Sequence, residues 1–531
     1  MANQNSRRFA ATAACAALII ASGPAAAQPA LDPSFGNAGT VLIDYGGSSF
    51  SNALLRQPDG KVVVLTDDNL GGAGNAIAIS RHLSDGGLDP AFGSGGTILK
   101  QYTWRDLPYG MTLQPDGKIV AVGIRSDNNQ SSHHRASIYR FHPDGSTDST
   151  FSDDGWSTVT YPSNSSAAFA DVTVLPDGRI LAVGLCSILV GPGATRFLPN
   201  GEIDPSYGAR VFPLEGLYSD HGHACFTEDG GFLFATQIVL PGTTTWEFVL
   251  LRVDGAGEQV MSFGSGGFVL PGVATHDDVH DARVSLLPDG RILLAGTTLY
   301  APNQRQYTVL RLEPDGTLDP SFGIAGRADV PIGVQNDLYD MHVTPGGKIV
   351  LAGTAVPSTG QPAHCGLARL TPDGALDTDF APGGIFTIDL SAGFTDYFRQ
   401  CFVDDEGRIV VAGRSGLDLV LARFTPPVAE VGTPITSLSP LAIAIAPNPM
   451  RAGSRIEFTL DRPDRIRLSV IDPTGRRIRT LADRTFAAGS ASVSWDGMGD
   501  DGRRVPPGIY FTHLVSEGTP LATTSRVVVL R

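Results

Sequence analysis

Short apolar runs recur along the chain, each following a turn signal by a residue or two. They read "VVVL" at 62–65, "IVAVG" at 119–123, "ILAVG" at 180–184, "ILLAG" at 292–296, "IVLAG" at 349–353 and "IVVAG" at 409–413. Runs this short, rich in Val and Ile, predict buried strands rather than helices. The turn signals before them are "QPDGK" at 57–61 and 114–118 and "LPDGR" at 175–179 and 287–291. Looser forms are "TEDGG" at 227–231, "TPGGK" at 344–348 and "DDEGR" at 404–408. Asp-Gly between two apolar runs predicts a hairpin, because Gly takes the positive φ that a tight turn needs.

A second mark keeps the same step. It reads "LDPSFG" at 31, "LDPAFG" at 88, "TDSTFS" at 147, "IDPSYG" at 203, "QVMSFG" at 259, "LDPSFG" at 318 and "LDTDFA" at 376. Successive gaps are 57, 59, 56, 56, 59 and 58 residues. Such a period means a repeat architecture. The first unit gives four strands: Val41–Tyr45, Ala53–Gln57, Lys61–Thr66 and Ala76–Leu83. Four antiparallel strands repeated seven times predict an all-β fold, a closed seven-bladed β-propeller over 28–427. The competing arrangements are a β-helix and a string of small β domains. The unit is long for a β-helix coil and too small to be stable alone.

The recurring "LDPSFG…PDGKIVVAG…R" resembles the delta-60 repeat of secreted bacterial proteins. The resemblance covers about 31–425. It implies a propeller and brings no catalytic residues with it. The fourth copy ("YGARV" at 207–211) and the fifth ("QVM" for "LDP") depart most, so irregular blades are expected there. One Arg falls in strand four of every unit: Arg81, Arg140, Arg196, Arg252, Arg311, Arg369 and Arg423. An outermost strand faces away from the channel. These arginines are therefore expected to pair with turn carboxylates such as Asp32 or Asp59, not to ring the axis with positive charge. Phe35, Phe92, Phe151, Tyr207, Phe263, Phe322 and Phe380 read as packing anchors between blades.

The chain has 531 residues and a net charge of −15, with no basic run interleaved with aromatics, which argues against nucleic acid as a partner. Arg7 and Arg8, the apolar run Ala10–Ala21 and the A-x-A site at 25–27 predict a secretory signal peptide over 1–27, too short in its apolar part to span a membrane. The adjacent arginines also fit twin-arginine export. A secreted or cell-surface protein, with no transmembrane segment in the mature chain, is the expectation. Cys15 leaves with the leader, and Cys186, Cys225, Cys365 and Cys401 remain. An even count in an oxidising compartment favours disulfides, and only 186–225 and 365–401 join adjacent units; buried free thiols are the alternative.

All four cysteines map to the rim that holds the strand 1–2 and 3–4 loops, and so does the variable chemistry. Asp106, Asp220, Asp278, Asp337 and Asp396 precede strand two, with His221 and His223 in "YSDHGHAC" and His276 and His280 in "THDDVHDAR". His with carboxylate is a divalent-metal pairing. An Asp repeated in most units fits a turn cap better. The rim is the expected binding surface, with no metal and no cofactor. No G-x-S-x-G, H-E-x-x-H, P-loop or complete EF-hand motif occurs.

After "LARFTPP" at 421–427 the repeats stop. Residues 428–440 are rich in Pro, Ser and Thr and read as a linker. Residues 441–531 hold 13 Arg, no Lys and 9 acidic residues, net +4, leaving −19 for the rest. Alternation in "RIRLSVID" and "SASVSWDG" predicts about seven short strands, an immunoglobulin-like sandwich. The stretch "APNPMRAGSRIEFTLDRPDRIRLSVIDPTGRRIRTL…SVSWDGMGDDGRRVPPGIYFTHL" resembles the immunoglobulin-like domain of flagellar hook-capping proteins and the C-terminal sorting domains of type IX secretion cargo. It implies contact with the cell envelope or a secretion machinery. The resulting expectation is a non-enzymatic propeller that binds an extracellular protein or carbohydrate. The alternative is an extracellular propeller lyase or dehydrogenase using the His/Asp rim.

Overall fold

The computed structural model describes residues 28–426, apart from 70–74, 102–104, 127–133, 162–165, 188–190, 214, 244, 273–278, 302–303 and 392. It also describes 443–529, apart from 447–449, 451–452, 461–462, 472–476, 501 and 517–521. Residues 1–27 and 428–440, read above as a leader and a linker, lie outside the described residues. Two compact units emerge, Met1–Ala429 and Glu430–Arg531. Among the described residues no helix is long and apolar enough to cross a membrane.

The first unit is a propeller of seven four-stranded antiparallel blades, counted among the described residues. In the first blade Ser48–Arg56 is innermost, Val62–Asn69 second, Asn75–His82 third and Thr97–Lys100 outermost. The "LDPAFG" corner at 88–93 therefore joins the third strand of a blade to its own outermost strand. Counting units from that corner assigns the outermost strand to the next blade. The structure moves it back by one, and the arginine strand is third, not outermost. The ring closes by the same rule. Thr40–Ile43 pairs with Asp418–Thr425 and completes the seventh blade, extended by Ala30–Leu31.

The core lies between the blades. Seven apolar clusters fill the seven interfaces, from the one joining blades one and two around Phe92 and Ile119 to the one joining blades seven and one around Phe35, Val64 and Leu421. Isolated units expose these faces, so stability comes from neighbours. The outermost strands of blades three and four are short, Ala209–Val211 and Phe268–Val269, as the degenerate fourth and fifth corners predict.

The repeated Arg and Asp form a joint in six of the seven blades, counted among the described residues. Arg81 donates Nε to Asp89 at 2.8 Å, Arg140 to Asp148 at 2.8 Å, Arg196 to Asp204 at 2.7 Å, Arg311 to Asp319 at 2.7 Å and Arg369 to Asp377 at 2.7 Å. Arg423 donates to Asp32 at 2.8 Å, across 391 positions of sequence. A second guanidinium nitrogen reaches the next blade's turn: Arg311 to the Pro372 carbonyl at 2.6 Å, Arg423 to the Ser84 carbonyl at 2.6 Å, and Arg81 to the Pro143 carbonyl. Each guanidinium also lies over the corner ring, as Arg81 does over Phe92 at 4.7 Å. The arginines thus lock each blade to its successor. Blade four departs from the rule, because Val260 stands where the Asp would, and Arg252 keeps the Pro314 carbonyl at 2.9 Å without a corner carboxylate.

The expected disulfides are not seen: none of Cys186, Cys225, Cys365 and Cys401 is cross-linked. Cys186 packs with Phe151, Tyr161 and Phe169 between blades two and three. Cys225 faces the cluster between blades four and five. Two intervening blade faces separate them. Cys365 and Cys401 share one cluster but differ in height. The Asp396 amide bonds the Ala363 carbonyl at 2.8 Å, which places the head of Asp396–Val403 beside Cys365. Cys401 is five positions further on, and its amide bonds Asp340 on the innermost strand of blade six, two strands from that of Cys365, about 10 Å at about 4.8 Å per strand and beyond disulfide reach. Burial pushes all four thiols above their ordinary pKa. The folded protein should therefore resist thiol reagents, and dithiothreitol should leave its melting temperature unchanged. A 186–225 or 365–401 cross-link in non-reduced peptide maps would contradict this packing.

Among the described residues the second unit is a sandwich of seven strands. Ile443–Ala446, Ser454–Leu460 and Gly489–Trp495 form one sheet. Arg477–Phe486, Asp464–Ile471, Gly508–Ser516 and Ala522–Val529 form the other. Ile466, Leu468 and Val470 point inward while Arg465 and Arg467 are exposed, as the alternation predicts. Trp495 closes the core edge-to-face against Tyr510 at 5.7 Å.

Candidate binding site in the central channel

Each innermost strand carries a β-bulge. The ladder register shifts between Ser51 and Ala53, Pro108 and Gly110, Phe169 and Asp171, Tyr218 and Gly222, His280 and Arg283, Leu338 and Asp340, and Phe398 and Gln400. A bulge leaves one residue unpaired and re-aims its side chain. At the single-residue bulges that residue is Asn52, Tyr109, Ala170, Tyr339 or Arg399. In blade five the strand is distorted further, with Asp281 at φ 54°. Outside Gly, that conformation is uncommon and worth a functional question.

These segments line a cavity of about 260 Å³ in the channel. Its wall includes Asn52, Tyr109, Ala170, Asp171, His223, Asp281, Arg283, Asp340, Arg399 and Gln400. In blades three, four, six and seven a side chain just beyond the bulge ties its blade to the next. Asp171 Oδ2 accepts the Ala224 amide at 2.7 Å, and Asp340 Oδ2 accepts the Cys401 amide at 2.8 Å. His223 Nδ1 faces the Val284 amide at 3.4 Å, and Gln400 Nε2 donates to the Ser51 carbonyl at 3.2 Å. Blade two needs no side chain there. A Cβ on Gly110 would lie 2.4 Å from the Ala170 carbonyl oxygen, so only Gly permits this approach.

The two guanidiniums differ. Arg283 Nε lies 4.0 Å from Asp340 Oδ1. Arg399 forms no ion pair among the described residues; it donates Nη1 to Asn52 Oδ1 at 3.1 Å, and its guanidinium carbon lies 5.7 Å from the Tyr339 ring centre. Behind Asn52, burial holds the Asp67 carboxyl above its usual range despite a hydrogen bond from Asn52 and the nearby charge of Arg399.

The rim residues named from sequence do not assemble into one site. Asp106 is fully buried and accepts the Tyr139 hydroxyl at 2.9 Å. Asp396 caps a turn, accepting the Leu390 and Ser391 amides at 2.8 Å. Asp337 pairs with Arg305 at 2.9 Å. His276 and Asp278 lie outside the described residues, as do the side chains of Asp220, His221 and His280. Among the described rim residues, only His223 reaches the cavity. Among the described residues no group of three His, Cys, Asp or Glu gathers as metal ligands. Sequence reading missed Arg283, Arg399, Asp340, Asn52 and Gln400.

The family described as a domain of unknown function (DUF5122) β-propeller matches residues 57–92, 114–151, 287–322 and 345–380. The FlgD Ig-like domain matches 450–518. The chain thus carries DUF5122 propeller repeats of the delta-60 kind and a FlgD Ig-like domain. Each propeller match runs from the Asp-Gly turn to the corner Phe and leaves out the innermost strand. No curated protein matches the chain significantly. Among solved structures it is similar to PorZ, an essential surface component of the type-IX secretion system of Porphyromonas gingivalis, at 14% identity over 88% of this chain with a TM-score of 0.29. The chain spans 64% of PorZ's length. It is also similar to the polysaccharide lyase Uly1, at 14% identity over 74% of this chain and 91% of that one, TM-score 0.42. A PL25 ulvan lyase covers 73% of this chain, with 96% of its own length matched, at 11% identity and a TM-score of 0.44.

Proposed function

We propose that the propeller is an exported, non-enzymatic binding module that takes a small ligand in its central channel and is displayed or sorted through its C-terminal domain. One observation carries this reading. The turns, corners and outer strands repeat, whereas the bulged channel positions hold a different residue in nearly every blade. Function in repeat proteins gathers where the units differ. The family matches agree with this division, since the matched segments exclude the innermost strands. Two of the lining carboxylates, Asp171 and Asp340, are tied to backbone amides. Export rests on the sequence of the leader, and display on the resemblance of 441–531.

The test uses the mature chain on an array of neutral and acidic oligosaccharides. Ala170→Trp puts a large ring into the channel and should abolish binding while the melting curve stays cooperative. Binding that survives Ala170→Trp would move the site out of the channel, and ligand turnover by the wild type would move the protein to the enzymes.

A further inference from the structure

We propose that Arg399 holds the carboxylate of a small monoanionic hydroxy acid, of the chemical class of a hexuronate, in the channel. This rests on reading the channel as the binding site. Three observations converge. First, Arg399 is a half-buried guanidinium on the cavity wall, and no described carboxylate pairs with it. A guanidinium out of bulk water needs a partner, and its planar fork matches a carboxylate. Asn52 Oδ1 takes one of its N–H groups, which fixes the direction of the others.

Second, Gln400 stands beside it on the same wall. Its Nε2 is committed to the Ser51 carbonyl, while its buried Oε1 has no hydrogen-bond partner in the protein. A buried acceptor left unpaired is unfavourable. A ligand hydroxyl next to the carboxylate would satisfy it. Third, the carboxylates on the wall disfavour a second negative charge on the ligand. Asp171, Asp281 and Asp340 share the wall with Arg283 and Arg399, and Asp340 already faces Arg283. That balance opposes dianions such as sulfate.

Isothermal titration of the mature chain with galacturonate, galactose and inorganic sulfate tests the assignment. Galacturonate should bind, and galactose and sulfate should bind at least about tenfold more weakly. Arg399→Gln should lose about tenfold or more in galacturonate affinity with an unchanged melting curve, and Arg399→Lys should recover part of it. No binding of galacturonate at millimolar concentration, equal binding by Arg399→Gln, or sulfate binding as tight as galacturonate would overturn the proposal. Galactose bound as tightly as galacturonate, and lost in Ala170→Trp, would overturn the carboxylate while leaving the channel as the site.

Discussion

Deleting residues 28–43 is expected to destroy the cooperative fold of the propeller. That short segment supplies the outermost strand of the seventh blade, Thr40–Ile43, and with it the closure of the ring. It also supplies Phe35, which is 1% exposed between the last and first blades, and Ile43. Burial of two such side chains contributes about 1.5–3 kcal/mol each. The same deletion removes Asp32 and strands Arg423, 5% exposed, without its carboxylate. Breaking a buried ion pair from one side costs about 3–5 kcal/mol. The combined loss is comparable with a typical domain stability of about 5–15 kcal/mol. Far-UV circular dichroism during urea titration should show a broad, weakly cooperative loss of signal. Asp32→Ala alone should shift the midpoint yet keep a single transition. A deletion variant that unfolds in one sharp step near the wild-type midpoint would show that closure contributes little.

Acid should produce the second large effect, a steep loss of stability below about pH 4. Six corner aspartates sit below their ordinary carboxylate range: Asp32, Asp89, Asp148, Asp204, Asp319 and Asp377. At Asp148 burial opposes ionisation, but hydrogen bonds from Thr150 and the charges of Lys118 and Arg140 outweigh it. At Asp204 and Asp319 the hydroxyls of Ser206 and Ser321 lead, joined by their arginines. A carboxylate depressed in the folded state contributes its full stability above the unfolded value near 3.8. As pH falls below that value, the unfolded chain takes up protons that the folded corners do not, and the contribution is lost. Asp67 and Asp68, raised mainly by burial, act with the opposite sign and lose stability as pH rises through their folded range. Melting temperatures at pH 7, 4 and 3, at constant ionic strength, should fall sharply over the last interval. Asp148→Asn should flatten that fall. Equal melting temperatures at pH 7 and pH 3 would contradict the corner account.

The repeat period, the blade count, the Arg–Asp joints and the aromatic anchors were legible in the sequence because each recurs with fixed spacing. Two features were not. The phase of the blade depends on which way the strand after the corner pairs, and pairing is non-local. Thr40–Ile43 reads like the start of a unit but belongs to a blade almost 400 residues later. The bulges were the second. An extra residue shifts the alternation of a strand by one, so side chains beyond it exchange faces relative to a simple count. Arg399, Cys401 and Cys225 lie at or beyond such a bulge. This hid the channel lining and made the cysteines look closer than they are. "LPYGM" at 107–111 carries the one clear trace, a Gly where the neighbouring blade's backbone approaches. On the rim, the recurring aspartates announced turn caps and joints more than chemistry, as Asp396 shows.

Hydrogen–deuterium exchange of the mature chain, free and saturated with the tightest-binding array oligosaccharide, tests the central claim most directly. The account predicts added protection on the innermost strands around Asn52, Tyr109, Ala170 and Arg399, with the Asp-Gly turns unchanged. Protection confined to the loops between second and third strands, with those four segments unaffected, would contradict it.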